Sequence, residues 1–187
     1  MPFETDTAWP AGLLKTFEIF RDEPRQLEDH YYGPYNKLLT YCFGLDLFQF
    51  IITPQNLCSN SPVFLLVLDI QRCPLLMAEI KDDGWATRAE QWFKADEQMR
   101  QRYNSMLQAC PLPRLWGLSL LGTSLRVYCG DAATGDAEPA FEDCPSPNRV
   151  LPRNFLKGAW NIDILSQEGF DKIKEIVKDI VGNVAPS

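Results

Sequence analysis

The sequence predicts a mixed α/β protein of the α+β kind, a central mixed β-sheet with flanking helices. Three observations predict it. Apolar runs of strand length, rich in branched and aromatic residues, lie at 48–55, 63–70 and 75–81. The longest helical signal of the chain, 85–108, follows directly on the third run. A two-stranded unit at 114–130 and an amphipathic helix near the C-terminus complete the pattern.

Each element has its own justification. AGLLKTFEIFRD, 11–22, carries Leu13, Leu14, Phe17 and Phe20 at helical spacing. A second helix opens at Gly33-Pro34, where proline suits the first turn, and runs to Gly44. FQFIITPQ is short and aromatic, and VFLLVLDI is joined through QRCP to LLMAEIK in a hairpin. The 85–108 helix presents a stripe of Trp85, Ala89, Trp92, Phe93, Met99, Tyr103 and Met106, and Cys110-Pro-Leu-Pro113 ends it. RLWGLSLLGTSLRVYCG reads as two strands turning at Gly122-Thr123. WNIDI adds a short strand, and Ser166 caps a helix with Phe170, Ile173, Ile176, Val177, Ile180 and Val181 on one face.

Length and composition bound the rest. At 187 residues the chain suits one domain, 1–187, with its core at about 28–130, helix 167–182 packed on that core, and 131–148 as an acidic surface loop. The loop carries five acids and no base. A net charge of −7 works against loose, charge-driven binding to nucleic acid. The first residues lack a signal-peptide pattern and no run approaches the ~18 apolar residues of a membrane span, so a cytoplasmic or nuclear protein with no membrane partner is expected. Six scattered cysteines without C-x-x-C are read as reduced, mostly buried thiols.

His30 is the single histidine. A multi-histidine zinc site is therefore impossible within one chain, and nothing around His30 resembles a nucleophile elbow. No phosphate-binding glycine loop occurs.

The chemistry-bearing motif is PLLMAEIKDDGW, 74–85. Side chains alternate across a strand, so Glu79 and Lys81 share a face while Ala78 and Ile80 take the other. A carboxylate can ligand Mg²⁺, and an ammonium two residues on can steady a phosphate or position a water. The plain alternative is a mutual ion pair.

Helix, strand, a hairpin whose second arm ends in E-x-K, then a long helix: this order resembles the core of the PD-(D/E)-x-K nuclease superfamily, the restriction-endonuclease-like fold. PYNKLL, FIITPQN, ADEQMRQRY, LPRLWGLSLLGTSLRVYCGD and RVLPRNFLKGAWNIDILSQEGF, together with the motif, are also similar to an uncharacterised protein family of mushroom-forming fungi. The nuclease resemblance implies that Glu79 ligands a metal, Lys81 is the catalytic lysine, and Gln98, Arg100 and Arg102 contact substrate. Glu28 is the nearest candidate for an additional acid on the first helix.

One departure stands out. Ser61-Pro62-Val63 occupies the place where the family carries an aspartate. Asp69 is the other acid of the hairpin and the remaining candidate for a second metal ligand. With the turn at 71–73, residue 65 or 66 faces Glu79, and Asp69 lies on the order of 10–13 Å away, too far to share one ion. The expectation is a nuclease-like fold with an incomplete metal site, acting as a domain that binds a protein or nucleic acid. The alternative is a Mg²⁺-dependent phosphodiesterase cleaving DNA or RNA through Glu79 and Lys81, the pair being expected to line a shallow polar cleft.

Overall fold

β2 (Phe64–Asp69) and β3 (Pro74–Lys81) are buried along almost their whole length on both faces, which is why they read as continuous apolar runs rather than alternating ones. Leu65, Val67, Ala78 and Ile80 enter one core, and Phe64, Leu66, Leu68 and Met77 enter another on the opposite side. A sheet apolar on both faces needs a helical layer on each, and the chain supplies them. The computed structural model describes residues 2–22, 31–44, 49–55, 64–143 and 151–184.

The sheet follows chain order. β1 (Phe50–Gln55) pairs antiparallel with β2, β2 antiparallel with β3, β3 parallel with β4 (Arg114–Leu121), and β4 antiparallel with β5 (Ser124–Asp131). β6 (Ala137–Glu138) and β7 (Ile162–Asp163) add two-residue ladders to β5. The parallel β3–β4 pair requires a crossover, and α4 (Ala89–Met106) provides it.

α1 (Pro2–Thr5), α2 (Ala11–Asp22), α3 (Tyr32–Phe43) and α5 (Gln167–Asn183) contribute residues to the larger core, on the side of Ala78 and Ile80. Ser166 caps α5 as expected, its Oγ accepting from the Gly169 N–H at 3.1 Å. α4 covers the other face, where Met99, Tyr103 and Leu107 meet Phe64, Leu66, Met77 and Tyr128. Tyr103 reaches the sheet because two glycines make room for its ring. A Cβ at Gly130 would stand 2.5 Å from it, and one at Gly117 would stand 2.7 Å from its hydroxyl.

The strand and helix expectations hold closely, with four differences. α1 and β6 carry too little periodicity to be read from sequence, and β6 lies inside the segment expected to be wholly loop. The 85–108 signal divides into a 3₁₀ turn at Asp83–Thr87, α4, and a second 3₁₀ turn at Leu107–Ala109. Its inward face also differs. Trp92 is only half-buried, whereas Ala95, Asp96 and Arg102 are buried beside Met99 and Tyr103. Among the described cysteines Cys42 is buried and Cys73, Cys110 and Cys129 are half-buried, all four as free thiols. No helix of the described residues is long and apolar enough to cross a membrane.

Candidate functional site: a buried row of charge under α4

Strand register sets the site. Phe64 of β2 pairs with Glu79 of β3, Glu79 with Ser119 of β4, and Ser119 with Arg126 of β5. Partners across a ladder point to the same face. Four strands thus carry one transverse row, Phe64–Glu79–Ser119–Arg126, under α4.

Glu79 is 1% exposed and Lys81 7% exposed. The pair therefore lies within the fold rather than lining a shallow cleft, a correction to the sequence reading. The Lys81 Nζ sits 3.1 Å from Glu79 Oε1, an ionic contact without hydrogen-bond alignment. The other oxygen, Oε2, accepts from Arg102 Nε at 3.2 Å. The Arg102 guanidinium lies over the Phe64 ring at 4.1 Å, and Lys81 Nζ over the Trp85 ring at 4.9 Å. Both oxygens of the carboxylate thus face a cation, and each cation has an aromatic face beside it.

A second carboxylate completes the row. Asp96 of α4, 2% exposed, accepts from Arg100 Nε at 2.7 Å and from the Tyr128 hydroxyl at 2.8 Å. Arg126 Nη1 lies 3.3 Å from its Oδ1. Burial, and then the neighbouring Asp96 charge, push the Tyr128 hydroxyl well above its ordinary pKa, so it remains a donor. Trp160 closes the row from the C-terminal segment, donating Nε1 to Ser119 Oγ at 3.1 Å with Arg126 5.2 Å from its ring. Burying this many charges is tolerable only because carboxylates and bases alternate.

The residues expected at a site are only partly brought together. Glu79, Lys81 and Arg102 meet. Arg100 turns to Asp96 and donates to the carbonyls of Pro139 and Ala140 at 2.9 and 3.1 Å. Gln98 is half-buried on α4 and makes no hydrogen bond to Glu79 or Lys81 among the described residues. Asp69 must be removed from the metal site. Glu79 pairs with Phe64, so Asp69 lies five positions along β2, at the other end of the hairpin. Its Oδ1 accepts from the Gln71 and Cys73 N–H groups at 2.9 and 2.8 Å, holding the turn in which Arg72 adopts φ 65°. Glu28, His30 and Ser61-Pro62-Val63 lie outside the described residues.

Asp96 and Arg126 are the members that sequence reasoning missed. The signal existed. Asp96, Met99 and Tyr103 share a face at spacings of three and four, and Arg126 alternates in phase with Tyr128.

No protein-family model, curated protein or solved structure matches the chain.

The fit of a divalent metal is decided by these contacts. Among the described residues no three His, Cys, Asp or Glu side chains are grouped to hold one. A Mg²⁺ ion at Glu79 would sit against an ammonium and a guanidinium that already face both oxygens at 3.1 and 3.2 Å. Among the described residues no second carboxylate is grouped with Glu79 to offset that repulsion. These residues do not fit a resident Mg²⁺.

Proposed function

We propose that the chain is a nuclease-like α/β domain, resembling the PD-(D/E)-x-K superfamily in its order of elements, that acts by binding a protein partner rather than by cutting a phosphodiester. The observation carrying this reading is the pairing of Glu79 with Lys81 and Arg102. In the phosphodiesterase alternative Glu79 supplies charge to a metal, but here that charge is answered by two side chains of the same fold. Support for the scaffold comes from the sequential β1–β5 order and from the Glu-x-Lys strand lying parallel to β4 across the α4 crossover. The net charge of −7 favours a protein over a nucleic acid as partner.

The test is a cleavage assay on single- and double-stranded DNA and RNA with Mg²⁺ or Mn²⁺, run beside calorimetric titration of each ion into the protein. No cleavage and no stoichiometric ion binding are expected. Robust cleavage that disappears in a folded Glu79→Gln variant would overturn the reading in favour of a metal-dependent phosphodiesterase.

A further inference from the structure

A cleft of about 620 Å³ lies between the C-terminal half of α4 and the 135–141 segment beyond β5. Its volume is that of a ligand or peptide-anchor site. Tyr103 and Leu107 line it from the helix side, and Phe141, 45% exposed, lines it from the other. Asp136 and Glu138 line it as well and are exposed to solvent.

Two features make this a formed surface with a definite sign. Arg100 clamps the two walls together, donating to the Pro139 and Ala140 carbonyls at 2.9 and 3.1 Å with its guanidinium 5.2 Å from the Phe141 ring. Arg100 also lines the cleft, and it shares the Asp96 carboxylate beneath, at 2.7 Å, with Arg126 at 3.3 Å. The stretch 131–143 holds Asp131, Asp136, Glu138, Glu142 and Asp143 and no lysine or arginine. Along the lining itself Asp136 and Glu138 outnumber Arg100, so the mouth is acidic above an apolar and aromatic wall.

We propose that this cleft docks a basic segment of a partner protein, with an apolar side chain against Leu107 and Phe141 and lysine or arginine side chains at Asp136 and Glu138. The proposal rests on reading the domain as a protein-binding module and names the partner's chemistry. Charge complementarity selects the occupant. Exposed acids attract a cationic peptide over roughly a Debye length, ~8 Å at physiological salt, and repel phosphate groups. The apolar wall supplies the contact that salt does not screen.

The test uses a fluorescent pentapeptide of lysine and arginine around a central leucine, its glutamate counterpart, and a short DNA duplex. Anisotropy is read in EDTA, at low and at physiological salt. The full-length protein binds the basic peptide alone, and more weakly as salt rises. Asp136→Lys combined with Glu138→Lys weakens binding about tenfold or more. Phe141→Ser weakens it at both salt concentrations, and both variants keep the parent's thermal midpoint because all three positions are exposed. Equal affinity in the charge-reversed protein, equal binding of the acidic peptide or DNA, or no binding of the basic peptide would each overturn the proposal. Failure here is separable from failure of the functional reading. Cleavage by a protein that still binds the peptide through Glu138 sinks only the latter, and an inert protein that ignores the peptide sinks only this inference.

Discussion

Arg102 of α4 donates its Nε to Glu79 Oε2 of β3 at 3.2 Å, across 23 residues of sequence, with both side chains buried. This bond ties the crossover helix to the strand it follows. It also fixes the electrostatic state of the one motif in the chain that resembles a catalytic centre.

Removing Glu79 takes away the carboxylate that both Arg102 and Lys81 face, whereas removing Arg102 leaves Glu79 facing Lys81 at 3.1 Å. Glu79→Ala is expected to destabilise the protein by about 3–5 kcal/mol, and Arg102→Ala by less, because Lys81 still faces the carboxylate. The double change Glu79→Ala/Arg102→Ala should cost clearly less than the sum of the two. Urea unfolding of the three variants checks this. Additive losses would show that the two charges do not depend on each other.

Met99 is fully buried under the sheet, while Trp92 on the same helix is half-buried. Met99→Ala is expected to cost about 2–5 kcal/mol, in the range for buried large-to-small changes. Trp92→Ala should cost less, because its side chain is only partly buried. Denaturation midpoints of the two variants, compared at equal slope, decide the order.

Gly130 leaves no room for a side chain, since its Cβ would meet Tyr103 Cε1 at 2.5 Å. Tyr103 is held from its far end by a hydroxyl donated to the Leu115 carbonyl at 3.0 Å, so the ring has little freedom to retreat. Gly130→Ala is expected to destabilise by about 1–3 kcal/mol, as overpacking does. Tyr103→Phe in the same background should recover part of the loss by freeing the ring.

Stability should fall in alkali through the tyrosines. Burial, followed by the bond from its hydroxyl to Asp83 at 2.6 Å, pushes Tyr31 from 10.0 up to about 12. Burial also raises Tyr35, Tyr41, Tyr103 and Tyr128. A folded pKa above the unfolded one means that the neutral phenol is favoured in the fold. That contribution is complete below pH 10 and is lost as the pH rises from about 10 to 12 and beyond. The expected outcome is cooperative unfolding in this range, with tyrosinate absorbance and loss of helical ellipticity rising together. Gradual tyrosine ionisation well below the unfolding transition would contradict it.

The sequence by itself determined the sheet and most of the helices. Continuous apolar runs specify strands buried on both faces, and the β2–β3 and β4–β5 hairpins declared themselves through their turn residues. Ser166 and the stripe from Phe170 to Ile180 did the same for α5. Tertiary structure alone decided where the charges went. A glutamate at the end of an apolar strand reads equally well as a catalytic ligand or an ion pair, and the choice depends on what the facing layer presents. That layer is α4, whose arginines at 100 and 102 look alike in sequence. Two residues apart on a helix they point about 160° apart, so Arg102 goes to Glu79 on the sheet while Arg100 reaches Asp96 and the Pro139 and Ala140 carbonyls. Hydrophobic periodicity counts a charged residue as outward. It misplaces one wherever the partner that neutralises it comes from a distant strand, as Glu79 does for Arg102 and Arg126 for Asp96.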